Sequence, residues 1–297
     1  MNSASCSNEL GDRSQPADSV AEWQESAQYW TRHSDIIHSM FAPLTRALIE
    51  DAGIKAGDSV LDVAAGAGEP SLTIAEVVGP TGSVMCTDAV EEMVLGAQIE
   101  AQRRGIRNID FGQCVADSLP FANDSFDVAV SRLGAMFFPD PLGAVREMLR
   151  VTKPGGTLAF AVWYKKEFNP YSYVVTDVLS RYVETPAPEP DARDAFRFAE
   201  DGKLAAIMKE AGASDVAEHV LKFQLEAPIS VDEFWLMRSE ISESLREKLK
   251  QLTSDECDRV AQEIKDNARE FFPENRMSFP MQMLVVTGRK QQIQKMR

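Results

Sequence analysis

Cysteine and histidine are scarce in this sequence, basic residues are outnumbered, and no long apolar run exists. The four cysteines among 297 residues, Cys6, Cys86, Cys114 and Cys257, form no C-x-x-C pair and have no histidine at ligand spacing. That argues against a metal site and a disulfide scaffold, and it fits thiols in a reducing, cytoplasmic compartment. No stretch approaches the ~20 apolar residues that span a bilayer. Met1 to Ser19 lacks a basic segment followed by an apolar one, so it reads as a loose arm and not as a signal peptide. Lys and Arg total 31 against 46 Asp and Glu, a formal net charge of -15. Such a surface repels a polyanion, which disfavours nucleic-acid binding through phosphate contacts.

What is present is ordinary globular composition, 44% apolar and 26% charged, in a chain long enough for a full-sized core. Ile36, Ile37, Met40, Phe41, Leu44, Leu48 and Ile49 mark a helical stripe, with Gly53 suited to the left-handed cap. Strands are expected at Ser59 to Val63, Ser83 to Thr87, about Ile109 to Val115, Phe126 to Ser131 and Thr157 to Trp163. Helices fall between them, the last opening at Asp140-Pro141 and broken by Pro154-Gly155-Gly156. This alternation predicts a parallel, doubly wound α/β sheet with its ligand site at the carboxyl ends of the strands.

After Trp163 the rhythm changes. Pro170, Pro186, Pro188 and Pro190 interrupt the next segment, and a helix follows between Gly202 and Gly212. A long strand covers Asp215 to Glu226, where His219 shares a face with Leu221, Phe223 and Leu225 and so reads as a packed histidine. Some fifty helical residues follow, with capping-box sequences at Ser230 to Glu233 and Thr253 to Glu256, before a last strand from Met277 to Thr287.

The sharpest segment is Val60-Leu-Asp62-Val-Ala64-Ala-Gly66-Ala-Gly68-Glu-Pro70. A strand ends in a carboxylate and turns through two glycines into a helix. Glycine belongs where backbone approaches a ligand or takes positive φ, and the helix N-terminus beyond offers donors to a carboxylate. A G-x-G alone is shared by several kinds of nucleotide binder. Here Ser71 holds the third position of G-x-G-x-x-G, and Asp62 at the strand end suits an ammonium group better than a pyrophosphate. Asp88 ends the second strand twenty residues after Gly68, where an acid can accept both hydroxyls of a ribose. Asp117, followed by Ser118, comes after the third strand and suits an exocyclic adenine amine. Each aspartate alone also reads as a turn or capping carboxylate. Three consecutive strands each ending in Asp form a joint signal.

At these residues the sequence resembles the class I S-adenosylmethionine (SAM)-dependent methyltransferases. Asp62-Val-Ala64-Ala-Gly66-Ala-Gly68 is similar to their cofactor loop, with Ala64 where the first glycine often stands. Asp88-Ala89 and Asp117-Ser118 match their ribose and adenine positions. Leu119-Pro-Phe-Ala-Asn-Asp-Ser-Phe-Asp127 and Leu149-Arg-Val-Thr-Lys-Pro-Gly-Gly156 are also family-like. The resemblance spans about Ala21 to Trp163 and is nearest to the small-molecule enzymes grouped with the quinone and sterol methyltransferases. It implies a Rossmann-like methyltransferase fold: a doubly wound, seven-stranded, mostly parallel sheet whose last strand is antiparallel, with a helical cap insert. The expected divisions are an arm 1–20, a lid 21–53, a SAM-binding core 54–163, a substrate-side segment 164–200, the rest of the sheet 201–290 with the insert 228–274, and a tail 291–297.

The resemblance further implies that Asp62, Ala64, Gly66, Gly68, Asp88, Ala89, Asp117, Ser118, Ser131 and Trp30 hold SAM and its product S-adenosylhomocysteine, without a metal. The reaction would be an in-line transfer of the sulfonium methyl to an O, N, C or S atom of a small molecule, driven largely by alignment and desolvation. After strand four, Ser131-Arg132-Leu133-Gly134 is not the Asn-Pro-Pro-Phe/Tyr of DNA amine methylation. It carries no carboxylate for Mg²⁺, as catechol-type O-methyltransferases need, and no Pro-Cys pair exists for attack on a pyrimidine. Leu133 also stands where the quinone C-methylating enzymes typically carry Asn after Arg. Tyr29, Arg132, Met136, Trp163 and Tyr171 are the candidate lining for an apolar or aromatic acceptor, while Phe41 reads as packing. No general base stands out, since His33 and His38 lie five apart and do not share a helix face cleanly. Two other readings stay open: a non-catalytic SAM-binding module presenting its insert, and an NAD-dependent oxidoreductase.

Overall fold

The computed structural model describes residues 16–184 and 191–292. Most of the expected N-terminal arm, Cys6, Pro186, Pro188, Pro190 and the last five residues of the expected tail lie outside the described residues. Helix α1 (Pro16–Arg32) begins inside the segment expected as a loose arm. Helix α2 (Ser34–Ala52) follows and ends on Gly53, whose φ of 69° supplies the left-handed cap. The first half of the sheet then builds in order: β1 (Ser59–Val63), α3 (Ser71–Val78), β2 (Ser83–Asp88), α4 (Glu91–Arg104), β3 (Ile109–Gln113), β4 (Phe126–Arg132), α5 (Pro141–Val151) and β5 (Thr152–Trp163).

The second half comprises α6 (Pro170–Leu179), α7 (Lys203–Ala211), β6 (Ala213–Ala227), α8 (Val231–Ile241), α9 (Glu243–Leu249), α10 (Ser254–Ala268) and β7 (Met277–Lys290). The seven strands lie in the order β3-β2-β1-β4-β5-β7-β6. Neighbours from β3 to β5 are parallel, and β7 runs antiparallel to both β5 and β6. The expected seven-stranded, mostly parallel sheet with an antiparallel last strand is therefore present.

Both faces of the sheet are covered, which is why β1 and β4 are buried at nearly every residue. On one face α2 lays Leu44 and Leu48, both fully buried, against the strands. Each such leucine is worth roughly 2 kcal/mol of burial. Thus α2, expected within the lid, is a core helix. The insert α8–α10 shares that face with α6, where Phe234, Phe279 and Tyr171 meet with ring centroids 5.4–5.7 Å apart. Both capping boxes form, Ser230 with Glu233 and Thr253 with Glu256.

Two local expectations need correction. β5 starts at Thr152, before the Pro-Gly-Gly, because the chain bulges: Thr152 pairs with Phe126, yet Thr157 pairs with Val128. Glycine is required there, since a Cβ on Gly156 would lie 2.5 Å from the Asp127 carbonyl oxygen. His219 is not packed. β6 is an edge strand, and the His219 side chain is 51% exposed, with Nε2 3.5 Å from Asp51 Oδ2 at the end of α2.

Candidate active site

After β1 the chain turns through Ala64, Gly66 and Gly68, with φ values of 60°, 57° and 113°. Gly66 has open space where a Cβ would stand, so its left-handed backbone alone calls for glycine. At Gly68 a Cβ would lie 2.9 Å from Leu72 Cδ1 and 3.2 Å from Ala97 Cβ, so this glycine serves the close approach of α3 and α4. The turn is stitched to β2: the Ala65 N–H donates to Thr87 O at 2.9 Å, and the Gly66 N–H donates to Asp88 Oδ2 at 2.9 Å. The other Asp88 oxygen accepts from the Val90 N–H at 3.0 Å. Burial pushes the Asp88 carboxyl up from its ordinary range, against these hydrogen bonds.

This turn floors a cavity of about 410 Å³ at the carboxyl ends of the strands. Its walls are the turn residues Ala64–Ala67 with Glu69, then Asp88–Val90 after β2, Cys114–Asp117 after β3, and Arg132–Gly134 with Phe137 and Phe138 after β4. Trp23 and Trp30 of α1 and Ser34, Ile37 and Phe41 of α2 close it from above. Trp23 meets Phe137 edge-on at 5.0 Å. The indole Nε1 of Trp30 is buried without a hydrogen-bond partner.

Of the residues singled out from the sequence, Ala64, Gly66, Asp88, Ala89, Asp117, Trp30 and Arg132 come together on the cavity wall. The others do not line it. Asp62 and Ser131 are fully buried beneath the wall, Gly68 faces α4, and Ser118 sits in an exposed turn. Tyr29 faces the insert, with the Arg246 guanidinium 5.2 Å from its ring centre. Met136 is fully buried in the core of the opposite sheet face. Trp163 stacks on Tyr171 at 6.3 Å, and both belong to the aromatic core under the insert. Phe41, expected as packing, packs against Trp163 and also lines the cavity.

Glu69 escaped sequence reasoning, although an acid directly before a helix is a signal in itself. Its Oε1 lies 2.7 Å from His38 Nδ1 and 2.8 Å from Arg104 Nη1, and its Oε2 accepts from Thr73 Oγ1 at 2.7 Å. Burial works to raise the Glu69 carboxyl, but the His38 hydrogen bond and the Arg132 charge, with further help from Thr73, outweigh it and hold it at about 2. Arg132 is buried as well. Its Nη1 donates to Thr45 Oγ1 at 2.8 Å, its Nη2 to the Glu69 carbonyl at 3.1 Å, and it lies 5.7 Å from the Phe41 ring centre. Beneath them, burial pushes Asp62 up to about 7 against the Ser71 hydroxyl, which donates to Oδ2 at 2.6 Å, and against the Arg132 charge.

The donor set suits one kind of ligand. Three carboxylates and five aromatic side chains converge on the cavity, an environment for a cation carrying hydroxyls and an apolar partner. Among the described residues no three His, Cys, Asp or Glu side chains gather at metal-binding distance, and no helix is long and apolar enough to cross a membrane.

The profile of the ubiE/COQ5 methyltransferase family matches residues 33–227. An uncharacterized protein of Mycobacterium tuberculosis is 41% identical over 124 residues, 42% of this chain and 44% of that protein's length. The match thus spans less than half of that relative. The ubiquinone/menaquinone biosynthesis C-methyltransferase UbiE of Pseudomonas putida is 32% identical over 218 residues, covering 69% of this chain and 85% of the relative. Among solved structures, the phosphoethanolamine N-methyltransferase 2 of Haemonchus contortus, in complex with phosphomonomethylethanolamine and S-adenosylhomocysteine, shares the fold. Its TM-score is 0.56 at 16% identity, covering 91% of this chain and 59% of that one. With the strand order, the glycine turn and the strand-end carboxylates already in place, the chain belongs to the ubiE/COQ5 methyltransferase family, within the class I SAM-dependent methyltransferases.

Proposed function

We propose that this protein moves a methyl group from SAM to a nucleophilic O, N, C or S atom of a small apolar or aromatic acceptor in the cytoplasm. One observation carries the reading: strand-end carboxylates and an apolar aromatic wall line the same cavity. When bound, SAM supplies an electrophilic methyl on a sulfonium. Asp88, already fixed by two backbone N–H groups, is placed to accept ribose hydroxyls, and Asp117 with Ala89 to border the adenine. Trp30 brings a buried, unpaired N–H to the same cavity, a donor for the cofactor's polar end. The aromatic faces exclude water, and Glu69 with Asp88 and Asp117 supplies the negative charge that compensates a cation. The net charge of -15 opposes a nucleic-acid acceptor.

The acceptor stays open to more than one class of atom. UbiE acts at carbon by name, and here Leu133 follows Arg132 with a φ of 61°. Calorimetry with SAM and S-adenosylhomocysteine tests the first half of the reading, and no heat at millimolar ligand overturns it. Asp88→Asn should weaken both ligands by about 10–100-fold, because it removes charged acceptance from buried donors. Binding without turnover across an acceptor panel would instead favour the non-catalytic module.

A further inference from the structure

The cavity is roofed by α1, and α1 is held in place by the insert. Glu240, near the end of α8, takes Arg32 Nη1 on Oε1 at 2.6 Å and His33 Nε2 on Oε2 at 2.6 Å. His33 is the single residue between α1 and α2, and its φ and ψ of −99° and 13° break the helical path there. Glu240 and His33 are largely buried, with side chains 18% and 12% exposed, so their contact resists screening better than a surface pair. A second tie comes from α9. Arg246 donates from Nη2 to Ser26 Oγ at 2.7 Å, caps the Tyr29 ring, and donates from Nη1 to the Glu240 carbonyl.

The opposite side of α1 rests on α4. Gln24 Nε2 donates to Glu92 Oε1 at 2.6 Å, and a Cβ on Gly96 would lie 2.6 Å from Thr31 Oγ1. The seat therefore needs glycine. Seated this way, α1 directs Trp23 and Trp30 into the cavity.

We propose that Glu240 is a positioning residue for the cofactor site: it latches α1, which opens about His33 as a lid, and so sets how fast the ligand enters and leaves. The inference rests on the SAM-binding reading. Entry needs the open lid in the free protein, and release needs it in the complex. A latch present in both states slows both steps equally and leaves the equilibrium alone. The insert, remote from the strand ends in sequence, thereby governs exchange at the cavity.

The experiment is stopped-flow tryptophan fluorescence of the full chain with S-adenosylhomocysteine, supported by calorimetry and thermal melting. Glu240→Gln should raise association and dissociation rate constants by about tenfold each, with Kd changed by less than about threefold. Gly96→Val should raise the same two constants by unseating α1 from the other side. Glu247→Gln, which removes the carboxylate of an exposed pair with Lys250, should change neither. The proposal is overturned if either of the first two variants melts normally and exchanges ligand at the wild-type rate. It is also overturned if Kd worsens in proportion to the faster release while association is unchanged. If the unaltered protein binds no S-adenosylhomocysteine, the SAM-binding reading fails and not the latch.

Discussion

Ala64 occupies a left-handed backbone conformation that costs a non-glycine residue about 1–2 kcal/mol. Its methyl is accommodated because the residue opposite is Gly134. A Cβ there would lie 2.6 Å from Ala64 Cβ and 2.9 Å from Ser131 Oγ. The φ and ψ of Gly134, −99° and −39°, are open to alanine, so the contact and not the backbone excludes a side chain. Gly134→Ala should therefore cost about 1–3 kcal/mol, the usual penalty of an overpacked site. Ser131 Oγ can rotate away, whereas Ala64 Cβ cannot. Ala64→Gly alone should stay within about 1 kcal/mol of neutral, since relief of strain offsets the added freedom of the unfolded chain. In the double variant the main clash is gone, and at least about 1 kcal/mol of the Gly134→Ala penalty should return. Urea unfolding of the four proteins measures the coupling, and calorimetry with SAM shows whether affinity follows it. Additivity to within about 0.5 kcal/mol would refute the reasoning.

Glu69 and Asp62 give opposite pH signatures, read by denaturant unfolding across a pH series. Glu69 is depressed from 4.5 to about 2, so its contribution is complete above pH 4.5 and is lost as pH falls through about 2. Glu69→Gln should flatten that acid limb, and an unchanged limb would contradict the assignment. Asp62 is raised from 3.8 to about 7, so its contribution is complete below 3.8 and is lost as pH rises through about 7. Asp62→Asn should remove the stability loss in that window, and a persisting loss would place its origin elsewhere. Ser230→Ala and Thr253→Ala should each cost about 1 kcal/mol in thermal unfolding, and losses below about 0.3 kcal/mol would mean the boxes contribute little.

Local chemistry was the legible part. The capping boxes, the Gly53 cap and the glycine turn each depend on residues a few positions apart, and each formed where the pattern put it. The parallel sheet was legible because short, mostly apolar strands alternate with helical stretches long enough to cross over, which leaves few alternatives. Residues failed where their role depends on a distant element. Tyr171 and Trp163 look like pocket aromatics, yet the insert supplies Phe234 against Tyr171, and Trp163 stacks on Tyr171 in turn. His219 alternates with apolar residues, but β6 is an edge strand, and the histidine side chain stays half exposed beside Asp51 at the end of α2. Period two reports which face a residue takes, and not whether anything covers that face.

Arg132 shows the same limit in its sharpest form. Its place after β4 is readable from the sequence, and it does line the cavity. A free guanidinium there would orient an anionic or carbonyl acceptor. Its two Nη atoms are instead committed to Thr45, on a helix some ninety residues earlier, and to the backbone of Glu69, and its Nε is buried. Withdrawing either bond to greet a ligand would leave a buried partner unpaired, at about 1–3 kcal/mol. Arg132 therefore works as a brace joining α2 to the glycine turn, and it holds Phe41 beneath its charge while doing so. On the proposed reading, that wall offers an acceptor Phe41, Leu133, Phe137 and Phe138, which would select by shape and apolar area.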